Sequence, residues 1–546
     1  MRLLPDWLSG YQRAWLVPDI VAGLIVWSVV TPQAVAYAQI AGLPPSAGLA
    51  AAPGALLAYA LLGTSRSLVV SATTATSALS AAATGPLADG DAMQFAALSA
   101  ALALVSAAVL VGAGFLRLGG VMDLISKPVM TGFLFGLGLT VAVGQLSKIF
   151  GVPGGSGHFF ELLSDLLEEL DETNRWTVVV GVASIAALVA FAKLAPKLPA
   201  ALIVLAVSIA ASALFDLQAH GVEVVGALPS AVPDPSIPDV GWRDLVDLLP
   251  AALGIMIVSA EAIGVARSLA GAQGYSVDVS RDLVALGGSN FLAGLSSGFV
   301  QSGGASQTMA AERSGGKTQL VSLVAAGLIL LTGAFLAFLF EDLPQATLAA
   351  IVVVAIAGFF RVDELRRFAH LRRSALVLSL VALFGVLALG VLPGLLLAAG
   401  LSLVALIQRL SRPPVGTLVR EPTTGAWGNA ARHPGWESVP GVLVARVEGP
   451  LIYSNSVTVK EHLLALARSA EPRPAVLVLD LVHNDDLDVQ VLDTLGELTD
   501  ALAADGIELR LASVHARASE LLGRSGLAAR VRVEPTLDAA TSSARG

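Results

Sequence analysis

Glu261 stands in the middle of the apolar run IMIVSAEAIGVA, with no basic residue before Arg267. A carboxylate in hydrocarbon is costly, so it is a functional candidate, suited to taking up a proton or sitting beside a bound cation. Its plainer use is as a protonated group bonding a neighbouring helix. Two other stretches carry hydroxyls and glycines where hydrocarbon belongs: SATTATSALSAAAT at 71–84 and QSGGASQTMAAE at 301–312. Neither would cross a bilayer alone. A helix that begins inside lipid leaves its first N–H groups without acceptors and carries roughly half a positive charge at that end. Such an end attracts an anion. If two such helices meet at midplane, their starts at Thr73, Thr74, Gly304, Ala305, Ser306 and Gln307 form one site of roughly one positive charge. Gly303 and Gly304 would let backbone approach the ligand closely. Tight helix packing is the competing use of the same small residues. Gln33 and Tyr37, one turn apart on an earlier run, share a face and could line the same pocket or bond between helices.

These residues need a membrane to position them, and the composition supplies it. Of 546 residues, 55% are hydrophobic and 14% charged, against about a quarter charged in a soluble domain. From Pro18 to Arg409, apolar runs recur about fourteen times, most of them long enough to cross roughly 30 Å of hydrocarbon. Basic residues collect in alternate connections, among them Arg66, Arg117, Lys193, Arg267, Arg313 and Arg361 to Arg373. The other connections hold only Lys148, Arg175 and Arg243, with acids such as Asp89, Glu341 and Asp342. That alternation places both termini in the cytoplasm. The two odd segments fall third and tenth, at equivalent places in two halves of about seven spans each. An odd number per half turns the second half upside down, the inverted-repeat plan of secondary transporters. Residues 1–411 are thus expected as a transmembrane domain and 412–440, rich in Pro and Gly, as a linker. From 441 to 546 the alternation of strand and helix patterns predicts a small cytoplasmic α/β domain.

Several function classes drop out. The chain has no cysteine, so it has no thiolate metal site or thiol nucleophile. No metal-ligand spacing and no phosphate-binding Gly-Lys-Ser/Thr loop appears, so no cofactor, no catalytic residue and no direct ATP coupling is expected. Nucleophile, base and orienter are not grouped as an enzyme would need. The net charge of −9 reflects solvated acidic loops such as 161–172, and nothing points to nucleic acid.

The segment PDIVAGLIVWSVVTPQAVAYAQIAGLPPSAGLAAAPGALLAYALLGTSRS, from Pro18, resembles the first-span signature of the sulfate permease (SulP) family, which includes pendrin and prestin. A second match follows Glu261, in ARSLAGAQGYSVDVSRDLVALGGSNFLAGLSSGFVQSGGASQTMAAERSGGKTQ, and the tail is similar to a STAS domain. The resemblance implies a seven-plus-seven inverted repeat. A core of spans 1–4 and 8–11 would slide against a gate of spans 5–7 and 12–14, often in a homodimer. It implies an anion between spans 3 and 10, lined by Gln33, Tyr37, Thr73 and Ser306, with Glu261 at the family's acidic position. Many members have Gly-Pro entering span 3, and this chain has Ser71 and Ala72. Many have Ser-Arg in span 10, where this chain has Ser306 and Gln307, so a fixed cation is gone. In the tail Asp488 and Val489 are followed by Gln490, which removes a phosphorylatable residue and favours a role in assembly or stability.

With about one positive charge from two helix ends and one negative from ionised Glu261, the empty site is near neutral. Protonating Glu261, or binding a cation beside it, restores the attraction. The expectation is therefore an inner-membrane symporter of a small inorganic or carboxylate anion, coupled to a proton more readily than to sodium. The rivals are an uncoupled exchanger or channel, and a membrane sensor or scaffold acting through the STAS domain.

Overall fold

The structure, a computed structural model, describes residues 7–542 apart from 9, 121–125, 156, 196–197 and 229–230. It divides into two compact units, Met1–Ser402 and Leu403–Gly546. Helices occupy the apolar runs in turn: α1 (Leu16–Ile40), α2 (Pro45–Leu62), α3 (Thr74–Thr84), α4 (Ala92–Phe115), α5 (Lys127–Phe150), α6 (Arg175–Leu194) and α7 (Ala200–Phe215). The second series is α8 (Leu249–Ala272), α9 (Val279–Leu295), α10 (Ala305–Arg313), α11 (Leu320–Phe335), α12 (Gln345–Ile356), α13 (Arg373–Leu389) and α14 (Val391–Ser411). Two-residue strands precede the short helices, β1 (Val70–Ser71) before α3 and β2 (Ser302–Gly303) before α10. Among the described residues, eight helical stretches are long and apolar enough to cross a membrane, and Ala200–Phe215, Leu320–Phe335 and Arg373–Leu389 are shorter but apolar.

Packing sorts the helices into two groups. In one, α9 lies against α4 and α2, α11 against α1 and α2, α10 against α1, and α8 against α3 and α4. In the other, α13 lies against α5, and α12 against α5, α6 and α7. Exchanging each helix for the one seven places away maps these contacts onto each other: α1 with α11 becomes α8 with α4, α1 with α10 becomes α8 with α3, and α5 with α13 becomes α12 with α6. The two halves of the first unit therefore repeat one packing scheme.

Inside lipid, burying apolar surface gains little between helices, so close backbone approach has to hold them. Two glycines show how close. A Cβ on Gly48 would lie 2.0 Å from the Ala34 carbonyl oxygen, and one on Gly132 would lie 1.9 Å from that of Ser379.

The second unit is a six-stranded sheet of order β4-β3-β5-β6-β7-β8, from β3 (Val415–Arg420), β4 (Trp427–Asn429), β5 (Val442–Val447), β6 (Val476–Asp480), β7 (Glu508–Ala512) and β8 (Arg532–Glu534). Its helices are α15 (Ser456–Ser469), α16 (Val489–Ala504), α17 (Ala516–Arg524) and α18 (Leu537–Ser542). Strands β5 to β8 are parallel. Every residue of β6 is buried, as a parallel strand covered on both faces requires. Residues 412–440 depart from the expected linker: β3 pairs antiparallel with β5 and with β4, extending the sheet. The prolines there, Pro413, Pro414, Pro422, Pro434 and Pro440, all fall outside the strands. The six-residue run VGTLVR becomes a strand through pairing with residues about thirty positions on, which no local pattern announces.

The α5–α13 crossing gives a direct check. Gly132→Val must push the two helices apart, at a cost of about 3 kcal/mol, and the unfolding temperature in detergent should fall by several degrees, while Gly112→Val, in open space, should leave it unchanged.

Candidate anion-binding site

The chain entering α3 and the chain entering α10 lie side by side. β1 and β2 pair antiparallel, Val70 opposite Gly303 and Ser71 opposite Ser302, and the Gly304 N–H donates to the Val69 carbonyl at 3.1 Å. Two helices thus leave one short ladder in opposite directions, their N-terminal ends adjacent. Thr73 caps α3: its Oγ1 accepts from the Thr76 N–H at 3.3 Å, and the Thr76 hydroxyl donates to the Thr73 carbonyl at 3.2 Å. Gly304 begins α10 without any side-chain cap. Among the described residues, the amides of Thr74, Ala75, Ala305, Ser306 and Gln307 have no acceptor.

The predicted site residues gather around these amides. Gln307 is buried; its Nε2 donates to Gln33 Oε1 at 2.7 Å and to the Ala72 carbonyl at 3.4 Å, tying α1, the entry to α3 and the start of α10 together. Tyr37, 3% exposed, belongs to the buried cluster that includes Ala72 and Ala75 at the entry and first turn of α3. Ser306 Oγ lies 3.4 Å from Gln307 Oε1. Ala305 and Ser306 at the start of α10 are exposed, while Gln33, Tyr37 and Thr74 are buried.

At Gly303 and Gly304 other parts of the protein come close to the backbone. A Cβ at 303 would meet the Ala262 Cβ of α8 at 2.7 Å, and one at 304 would meet Gln307 Oε1 at 1.4 Å. The first glycine lets α8 press against β2, and the second makes room for the Gln307 side chain folded back over the helix start. Glu261 lies on that same stretch of α8, between Ser259, whose hydroxyl accepts from Ser302 Oγ at 3.4 Å, and Ala262. Its side chain is half-buried, and the charged group acting on it through space is Arg361.

Sequence reading missed the residues that hold the two extended segments in place. Buried Asp282 accepts from the Thr64 N–H at 2.7 Å and the Thr64 hydroxyl at 2.9 Å. Gln319 Nε2 donates to the carbonyls of Ser65 and Leu68 at 2.9 and 2.8 Å, and the Val69 N–H donates to Thr308 Oγ1 at 3.0 Å. On the other segment, Asn290 accepts from the Gln301 N–H and donates to the Gln301 carbonyl, both at 2.9 Å. The signal was present for Asn290, a polar residue inside a helix-length apolar run, the kind of residue that marks a functional or bracing role; Asp282, beside Arg281 just before that run, read as part of a polar connection.

Comparison with known proteins agrees with this architecture. The sequence profile described as the sulfate permease family matches residues 16–382, and that of the STAS domain matches 434–540. A probable sulfate transporter of Mycobacterium tuberculosis (strain H37Rv) is 35% identical over 94% of this chain and 93% of its own length. Probable sulfate transporter 3.3 of Arabidopsis thaliana is 28% identical over 92% of this chain and 84% of its own. Among solved structures, murine Slc26a9 in the inward-facing state superposes with a TM-score of 0.89 at 24% identity, covering 100% of this chain and 94% of that one. The transmembrane domain of the cyanobacterial bicarbonate transporter BicA gives 0.62 at 19% identity, covering 72% and 98%.

The brace at Gln301 is open to test. Asn290→Leu leaves a buried N–H and a buried carbonyl without partners, at about 2 kcal/mol each; folded protein recovered in detergent should drop sharply, whereas Asn290→Asp, which keeps the acceptor, should lose less.

Proposed function

Because the chain belongs to the sulfate permease family, whose members transport anions and catalyse no reaction, we propose that it carries a small oxyanion across the membrane, with sulfate the first to test. The observation that carries this reading is the pairing of β1 with β2, which sets two uncapped or partly capped helix ends beside one pocket. Five amides at Thr74, Ala75, Ala305, Ser306 and Gln307 can donate to the oxygens of one tetrahedral anion, and the two helix ends supply roughly one positive charge. Thr73, Ser306, Gln33 and Tyr37 add donors that tolerate several anion shapes. Sulfate rests on the naming of the relatives in Mycobacterium and Arabidopsis; bicarbonate, chloride and small dicarboxylates fit the same donors.

Coupling follows from the charge balance. Gln307 gives the site no fixed cation, so ionised Glu261 nearly cancels the helix ends, and a proton on Glu261 restores a net attraction. Anion and proton then load together. Transport proceeds with helices α1–α4 and α8–α11 moving as a core against a gate of α5–α7 and α12–α14, an elevator that exposes the pocket alternately. The chain acts in the inner membrane, as a homodimer, with both termini in the cytoplasm and the STAS unit supporting assembly.

In proteoliposomes, sulfate uptake should rise under an inward proton gradient, and Glu261→Gln should make uptake insensitive to that gradient. Equal uptake with and without the gradient in the unaltered chain, or a Glu261→Gln variant that still responds, contradicts the coupling.

A further inference from the structure

Lys148 is a cation inside the helix bundle that the binding site does not use. It lies near the end of α5, and its Nζ donates to Gln39 Oε1 of α1 at 3.4 Å. The helix spacing puts it on a stripe with Leu134, Leu137, Val141 and Gln145. The first three belong to the apolar cluster that contains Tyr37, Ala75 and Ala78, so this stripe is the face of the gate turned toward α1 and α3. Its inner part is apolar. Its outer part is polar: Gln145 is buried, and Lys148 meets a neutral amide. The carboxylate that acts on Lys148 through space is Glu223, on an exposed loop whose carbonyl accepts from the Gln345 N–H at 2.9 Å.

Position along α1 gives this arrangement a direction. Gln33 lies six residues before Gln39, about 9 Å lower along the helix axis. A core that travels outward past a fixed gate therefore carries the pocket from beside the apolar stripe toward Gln145 and Lys148. We propose that Lys148 is an anion-contacting residue of the gate that joins the site only when the pocket faces the extracellular side, giving the outward-facing site the fixed cation that Gln307 does not. This rests on the alternating-access reading above and assigns it a sidedness. In the present arrangement Gln39 occupies the ammonium and holds the outer seam closed. Outward movement of the core takes Gln39 away and offers the same ammonium to an oxyanion. The anion is then gripped more firmly on the outside, and it loses that cation as the core moves inward, which favours release to the cytoplasm.

The test uses the full chain in right-side-out and inside-out membrane vesicles, with radiolabelled sulfate offered from each face. Lys148→Gln should raise half-saturation for external sulfate about tenfold and leave the internal value nearly unchanged, and Lys148→Arg should restore the external value. Glu223→Gln, on an exposed loop, removes the competing carboxylate and should lower external half-saturation; it carries the test by itself should Lys148→Gln not fold. An equal change on both faces, or an external value that none of the variants moves, overturns the proposal. An unaltered chain that moves no anion from either face contradicts the transport reading instead.

Discussion

Every backbone N–H and carbonyl inside a bilayer must find a partner within the protein, because hydrocarbon offers none. This chain carries two non-helical segments between its helices, 63–73 and 296–304, and much of the first unit is arranged around satisfying them. Part of the solution is mutual, through the β1–β2 ladder. The remainder comes from buried polar side chains, and their origin is informative. The 63–69 stretch, in the first half of the sequence, is held by Asp282, Thr308 and Gln319 from the second. In return Asp19 of α1 accepts from the Lys317 N–H and the Thr318 hydroxyl, both at 2.6 Å. The first half's interruption is therefore buried with help from the second.

The proposed binding site is what this solution leaves over. Amides that the ladder and braces satisfy are unavailable to a ligand, and those just beyond them, at the first turns of α3 and α10, have no acceptor among the described residues. Thr73 takes up one amide of α3, whereas Gly304 caps nothing, so the two ends are unequal and α10 is the stronger donor. Gln307 is central to the balance. It brings no charge, but its bonds to Gln33 and Ala72 fix α10 relative to α1 and α3, so in this chain that position organises the pocket. In the proposed mechanism, neutralising Glu261 supplies the attraction that a charged residue would have given.

The sequence revealed the architecture through contrasts strong enough to read locally. Long apolar runs, alternating basic connections and two misplaced hydroxyl-rich segments were sufficient to expect paired interrupted helices, and the residues named there, Gln33, Tyr37, Thr73, Thr74, Ser306 and Gln307, do gather. What stayed hidden depends on partners distant in sequence. Asn290, Asp282 and Gln319 look like ordinary polar intrusions until the segments they brace are in place. Gly303 and Gly304 carried the right signal, close approach, but the approaching groups are Ala262 and Gln307. Residues 412–440 looked like a linker because proline and glycine dominate the composition, while the strand within it is defined by β5.

The central claim is that an anion sits between the first turns of α3 and α10, held mainly by backbone amides. The most direct measurement is the anomalous scattering of selenate bound to the protein in crystals. The account predicts one strong selenium peak within hydrogen-bonding distance of the amides of Ala305 to Gln307 and of Thr74 or Ala75. A peak elsewhere in the bundle with that pocket empty, at selenate concentrations that inhibit transport, would contradict it.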